Sequence, residues 1–387
     1  MLVPMCMLTV NLGLFWEEVT SLFAESVGAI VRELSLKKAA DGLYGPCMAA
    51  FERAIIERVP LVDLVVEVRD ARIPLTSAFE PLRRLACSHK QMIVLNKVDL
   101  ADRSLTEMWL RHFKMHNFIC YGVNSHNKDS INELLRVVRA RIKKLKGDDR
   151  SYTSTILLVG IPNVGKSAMV NSMHQIGRTG AEVKGKLRHA TVSSQPGETK
   201  DIISYKIGSH PNIYVLDTPG VLSGEIGVDD LGSKLALSGA IDDSLVGEVD
   251  LARYFLSVLN SKEEYKRWEN LKADADDAVI STSEFNQGRR RQYPSDHTQD
   301  FIVRDVRRTL FRCISSNSVN LENENTMRIL IENQLTALHE PLRLPKEPCE
   351  DSYKAVASKL LNLFRTGRLG RYTFDILPGI TNDPILS

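Results

Sequence analysis

Residues Gly160 to Ser167 read Gly-Ile-Pro-Asn-Val-Gly-Lys-Ser. An apolar run, Thr155-Ile156-Leu157-Leu158-Val159, leads into them, and a helix-patterned stretch from Ala168 to Ile176 leads out. A strand that turns through a glycine loop into a helix belongs to an α/β sheet, whose ligands sit at the carboxyl ends of its strands. The spacing Gly-x-x-x-x-Gly-Lys-Ser is that of a phosphate-binding loop. Its glycines let backbone amides, here those of Val164 and Gly165, approach a β-phosphate. Lys166 would supply a point charge to the β- and γ-phosphates, and the Ser167 hydroxyl would ligate Mg²⁺. The bland alternative is a glycine turn between a strand and a helix.

Two further motifs make the phosphate reading specific. Asp217-Thr218-Pro219-Gly220 follows the apolar Tyr214-Val215-Leu216. Asp217 would hold Mg²⁺ through water, and the Gly220 amide would sense a γ-phosphate. Alone such a stretch is usually a turn, but here it ends a strand downstream of a phosphate loop. Asn96-Lys97-Val98-Asp99 closes the run Met92–Leu95. A carboxylate only accepts hydrogen bonds, so Asp99 can take both N–H groups on the Watson–Crick edge of guanine. Adenine lacks that donor pair and would leave Asp99 unmatched, which argues against a P-loop ATPase or kinase. Asn124-Ser125, after Phe118–Tyr121, would add a loop contact to the base or form an ordinary polar loop. These are the parts of a GTP/GDP site.

Their order is unusual. The guanine loop precedes the phosphate loop, whereas an ordinary GTPase runs phosphate loop, sensor, guanine loop. Domain termini often lie close together, which tolerates circular permutation. Joining them and cutting between sensor and guanine loop gives this order. The chain beyond Gly220 then leaves the γ-phosphate sensor directly, so nucleotide state can bias whatever follows.

The remaining pattern divides the chain into an N-terminal extension (1–42), a permuted GTPase domain (43–230) and a helical C-terminal domain (231–387). Met48, Phe51, Ile55 and Val59 recur at helical spacing, Pro60 breaks that helix, and Leu64–Val68 follows as a strand. Residues 131–145 predict a helix with Ile131, Leu134, Leu135, Val138, Ile142 and Leu145 inward, closed by Gly147. Ile202–Ile207 and Ile213–Leu216 read as a strand pair. Strands alternating with helices predict a doubly wound α/β sheet. A polar stretch at 272–298, containing Arg289-Arg290-Arg291, reads as a flexible insertion.

Composition excludes some functions. A net charge of +2 over 387 residues does not announce nucleic acid. The six cysteines lack C-x-x-C spacing, which argues against zinc or a disulfide framework. No apolar run reaches the roughly 18–20 residues that span a membrane. Residues 1–42 hold one arginine, Arg32, beside Glu17, Glu18, Glu25 and Glu33, so their chemistry supports a transit peptide only weakly.

Beside Lys166 and Gly220, three further residues bear on catalysis. Thr199, in Pro196-Gly197-Glu198-Thr199-Lys200, is the candidate threonine that closes on Mg²⁺ when the γ-phosphate is present. Val221 stands just after the sensor glycine, where many GTPases carry a water-orienting Gln, so intrinsic hydrolysis should be slow. Asn163 is a candidate K⁺ ligand, with K⁺ substituting for an arginine finger; its bland alternative is a turn residue.

Together with the permuted order, Asp70-Ala71-Arg72-Ile73-Pro74 and Phe364-Arg365-Thr366-Gly367-Arg368-Leu369-Gly370-Arg371 resemble the circularly permuted YlqF/RbgA-type GTPases, among them the plant organellar DAR GTPases. The similarity runs from about residue 43 to 375. The resemblance implies slow, K⁺-assisted GTP hydrolysis. It also implies assistance in assembling the large subunit of an organellar ribosome, in the mitochondrion or alternatively the chloroplast, with the helical domain on ribosomal RNA. Lys354, Lys359, Arg365, Arg368 and Arg371 would face phosphates or form an ordinary solvated basic face. Asp70 and Arg72 could instead simply brace a turn. Cys47 stands where the family usually has a His proposed to help catalysis. The competing expectation is a nucleotide-binding scaffold on ribosomal RNA with weak turnover.

Overall fold

β1 (Leu64–Asp70), β2 (Gln91–Asn96) and the last four residues of β4 (Thr153–Val159) are buried throughout. Near-continuous runs of Val, Ile and Leu are what a strand covered on both faces requires. A computed structural model describes residues 46–85, 88–147, 153–179, 202–209, 212–222, 230–272, 297–316, 324–345 and 350–378. With β3 (Ile119–Val123), β5 (Ile203–Ser209) and β6 (Asn212–Asp217) the strands form one six-stranded sheet in the order β3-β2-β1-β4-β6-β5. All neighbours are parallel except β5, which runs antiparallel to β6. Register is set by pairs such as Val68 with Val94 and Val65 with Leu157.

Three charged residues sit in buried β1: Asp70 at its end, and the pair Glu67 and Arg69. Glu67 and Arg69 satisfy each other at 2.8 and 2.9 Å. Gln91 and the Phe79 amide complete the Glu67 carboxylate, and the Pro74 carbonyl accepts from Arg69. A buried ion pair is tolerable when its remaining polar atoms are matched in this way.

α1 (Pro46–Arg58) lays Ile55, with Met48 and Phe51, against Val65, Leu157 and Val159. α2 (Arg103–Met115) begins where Asp102 caps the Leu105 amide, and buries Trp109 and Phe113. α3 (Lys128–Lys146) is capped by Asn127 and ends at Gly147 with φ 86°. Its inward face carries Ile131, Leu134, Leu135, Val138 and Ile142. Leu145, on the same stripe but in the last turn of the helix, is exposed. α4 (Lys166–Thr179) leaves the phosphate-type loop, and α5 (Leu231–Ser238) follows the sensor.

The chain divides into two compact units. Among the described residues one holds the sheet, α1–α5 and a returning segment from Arg371 onward; the other comprises Gly247–Gly370. The boundary read from sequence, after residue 230, lies one helix earlier. α5 buries Leu235, Ala236 and Leu237, which places it with the sheet unit.

In the helical unit α6 (Glu248–Ser261) is apolar almost all round, burying Leu251, Phe255, Leu256 and Leu259. Such a helix has to be central. α7 (His297–Ser316), α8 (Glu324–Ala337) and α9 (Glu350–Arg365) accompany it. Phe255 meets Phe364 of α9 with ring centroids 4.6 Å apart. Asn260 and Gln334 of α8 exchange amide hydrogen bonds at 2.9 and 2.7 Å. Among the described residues no helix is long and apolar enough to cross a membrane. The extension 1–42, Thr199 and Arg289–Arg291 lie outside the described residues.

Candidate functional site

Four neighbouring strands of the sheet end in loops that carry the motifs. β1 ends at Asp70, β2 at Asn96, β4 enters the loop at Gly160, and β6 ends at Asp217. The motifs that the sequence separates are therefore adjacent in space, at the edge where such sheets bind ligands.

Asn96 joins the guanine-type loop to the phosphate-type loop. Its buried amide donates to the Val164 carbonyl at 2.8 Å and its oxygen accepts from the Ser125 amide at 3.1 Å. Ser172 of α4 donates to the Ser125 carbonyl. Lys97, with φ 62°, donates to the Asn163 carbonyl at 2.6 Å and pairs with Asp70 at 3.0 Å. Asp99 is exposed at the tip of the same loop. Asn124 folds on itself, accepting from the His126 amide through its side chain.

Gly165 has φ 94°, and a Cβ there would lie 2.3 Å from the Asn96 amide nitrogen. Only glycine fits a left-handed backbone at so close an approach. At Gly220 a Cβ would fall 2.5 Å from the Pro162 Cα, so the Asp217–Gly220 turn crosses directly against the phosphate-type loop. The buried Thr218 hydroxyl holds it there through the Leu158 carbonyl.

Lys166 is buried and donates to the carbonyls of Gly160 and Ile161 at 3.0 and 2.9 Å. Burial pulls its ammonium down to about 8, against the attraction of Asp217. The Ser167 hydroxyl donates to Asp217 Oδ2 at 2.8 Å. The other oxygen, Oδ1, is buried with no hydrogen-bond partner among the described residues. Burial pushes the Asp217 carboxyl up, and the Ser167 hydrogen bond, the Lys166 charge and the Thr218 amide offset only part of that. An orphan carboxylate oxygen beside a hydroxyl is the donor set a hard divalent cation takes.

Asp70 is the opposite case. Arg72 grips it through Nε at 3.0 Å and through a terminal nitrogen at 2.8 Å, and the Arg72 amide adds a third bond. Arg72 reaches on to the Ser238 carbonyl of α5 at 3.0 Å. Burial alone would raise the Asp70 pKa, but the Arg72 and Lys97 charges hold it well below the carboxylate range. Asp70 and Arg72 thus do brace the turn, as the sequence allowed, and they also tie it to Lys97 and α5. The sequence carried no sign of the Lys97 partnership.

Asn163, with φ 57°, donates through its side chain to the Gly239 carbonyl at 2.7 Å. Val221 is fully buried among Val65, Phe79, Leu157 and Val159. The side chain at this position therefore belongs to the core. Cys47 falls in α1, but its side chain lies outside the described residues.

The expected basic face of α9 is partly engaged. Lys354 pairs with Glu350 at 3.2 Å, and Lys359 donates to the Leu342 carbonyl at 3.0 Å. Arg371 belongs to the sheet unit. Among the described cysteines, Cys120 and Cys313 are free thiols, and burial pushes Cys120 up to about 12.

Comparison with known proteins follows the same lines. The family described as "50S ribosome-binding GTPase" matches residues 155–281. That span begins at the strand feeding the phosphate-type loop and leaves out Asn96–Asp99. "DAR GTPase 2, mitochondrial" of Arabidopsis thaliana is 52% identical over 337 residues, 86% of this chain and 89% of that protein. "Short integuments 2, mitochondrial" of Arabidopsis thaliana is 39% identical over 347 residues, 87% of this chain and 89% of that protein. "Ribosome biogenesis GTPase A" of Bacillus licheniformis is 30% identical over 282 residues, 69% of this chain and 94% of that protein.

Proposed function

Since this chain belongs to the YlqF/RbgA-type family of circularly permuted GTPases, we propose that it is a mitochondrial GTP-driven switch assisting assembly of the large ribosomal subunit. The names of its relatives supply the compartment and the ribosome. The observation that carries the switch is the Asn96 amide on the Val164 carbonyl. It makes one nucleotide site of two loops that the permutation has reversed in sequence.

Each residue then has a role. Asp99 accepts from the guanine edge, and Asn124 and Ser125 wall the base. The amides of the loop at Asn163–Lys166 face the phosphates, and the Lys166 ammonium turns from its two carbonyls to the β- and γ-phosphates. Ser167 and Asp217, with Thr199, would hold Mg²⁺, which supplies charge neutralisation on the phosphate oxygens. The Gly220 amide reports the γ-phosphate. With Val221 in the core, no side chain there orients the attacking water. Turnover therefore depends on help, and Asn163 as a K⁺ ligand is one source of it.

The same buried Val221 favours the second reading, a scaffold with little turnover. GTP hydrolysis in K⁺ buffer, with and without mitochondrial large ribosomal subunits, separates the two. The switch reading expects at least a tenfold stimulation that is absent in Lys166→Ala. Tight GTP binding without stimulation would leave the scaffold.

A further inference from the structure

The chain returns from the helical unit to the sheet unit at Arg371. Its next four residues, Tyr372, Thr373, Phe374 and Asp375, are all buried. They make a continuous set of bonds within the sheet unit. The Tyr372 amide donates to the Leu100 carbonyl at 3.2 Å, and the Asp102 amide donates to the Thr373 hydroxyl at 3.3 Å. The Phe374 amide donates to the Arg72 carbonyl at 2.8 Å. Asp375 accepts from the amides of Leu75 and Thr76 at 2.7 and 2.8 Å and from the Thr76 hydroxyl at 2.7 Å. Its carboxylate lies 3.5 Å from Lys234 of α5. Burial works against the Lys234 charge, yet Asp375 and Asp230 more than offset it and raise its pKa.

These anchors bracket the guanine loop. On its leading side Lys97 is fixed by Asp70 and by the Asn163 carbonyl. On its trailing side Leu100 and Asp102 are fixed by Tyr372 and Thr373. Asp99 is the exposed residue between the two anchored ends. Asp375 in turn fixes the loop after Pro74, on the far side of the Arg72 turn that holds Asp70. A hydrogen-bond donor or acceptor on a base is read only if its partner is held in place beforehand.

We propose that Tyr372–Asp375 are positioning residues for guanine recognition. They form a brace, contributed by the far end of the chain, that holds the Asp99 carboxylate where it meets the base. The proposal rests on the reading of Asp99 as the guanine acceptor.

The test is the dissociation of fluorescently labelled GDP and IDP from the full chain and from Thr373→Val and Asp375→Asn. Hypoxanthine lacks the 2-amino group, one of the two donors to Asp99, so the unaltered protein should release IDP faster. Asp99→Asn should erase that preference. The brace variants should narrow the IDP-to-GDP ratio of release rates by about three- to tenfold, the worth of one or two hydrogen bonds. A part played only in stability would lower the thermal midpoint and leave the ratio unchanged, and that result would overturn the proposal. Thr373→Val is nearly isosteric, so it keeps the test alive if Asp375→Asn fails to fold. If the unaltered protein released both nucleotides alike, the guanine reading itself would be wrong, a failure visible without any brace variant.

Discussion

Asp70 and Asp217 end neighbouring parts of one sheet edge, are equally buried, and each has a lysine beside it, yet they are completed in opposite ways. Both oxygens of Asp70 are taken, by Arg72 and Lys97. Asp217 has one oxygen on the Ser167 hydroxyl, and the other has no hydrogen-bond partner among the described residues. The charges around Asp70 overcome its desolvation and lower its pKa, whereas around Asp217 desolvation wins. A fully matched buried carboxylate holds the fold together. A half-matched one is kept at a cost, and that cost is recovered when a ligand arrives.

The comparison is broken most severely at Asp70. Asp70→Asn leaves Arg72 and Lys97 buried against a neutral partner, a loss of about 3–5 kcal/mol in unfolding free energy. Urea denaturation measures it, and a loss below about 1 kcal/mol would mean that the triad is not what fixes the turn. Asp217→Asn should leave the nucleotide-free midpoint unchanged or raise it, because it removes a desolvated charge rather than a matched one.

What Asp217→Asn should lose is the cation. Removing a partner that acts on a metal through water typically weakens metal binding about 10- to 100-fold. The readout is the Mg²⁺ concentration needed to slow GDP release, which should rise by that factor. An unshifted Mg²⁺ titration would show that the orphan oxygen serves something else.

Acid titration sharpens the contrast by its sign. The Asp70 pKa is depressed in the fold, so its stabilisation is complete above the unperturbed 3.8 and is lost as pH falls below it. The Asp217 pKa is raised, so its favourable contribution exists at and below 3.8 and is lost as pH climbs through the folded value. Unfolding free energies from pH 3 to 7 should therefore slope upward less steeply in Asp70→Asn and more steeply in Asp217→Asn. Slopes that changed in the same direction would contradict the assignment.

Much of this was legible in the sequence because the signals are local. The strands announce themselves as the apolar runs 64–68, 92–95 and 155–159, and each nucleotide-type motif is contained within a few consecutive residues. Gly147 at the end of α3 is a local signal as well, whereas the Asn127 cap at its start went unread. The unreadable part is long in range and backbone in kind. Asp375 meets the amides of Leu75 and Thr76 across some three hundred positions, and an amide looks the same in every residue. The Lys97 partnership with Asp70 was hidden for a related reason. The guanine motif explains its lysine without it. The cations of α9 misled differently, since spacing reveals which face they share but not that Lys359 is drawn to the carbonyl of Leu342 in a turn.

The smallest effect belongs to Lys166, the cation beside Asp217. With its ammonium brought down to about 8, a growing share is neutral above neutral pH in the free protein. Nucleotide phosphates favour the charged form, so binding must take up a proton there. From pH 7 to 8.5 the charged fraction falls roughly fourfold for a group that titrates near 8, and GDP affinity should fall with it. Lys166→Arg keeps its charge throughout that range. Whatever its affinity at pH 7, it should show no such decline, and equilibrium titration at both pH values in two buffers of different ionisation enthalpy would also reveal the proton uptake calorimetrically. A decline that persisted in Lys166→Arg would place the titrating group elsewhere.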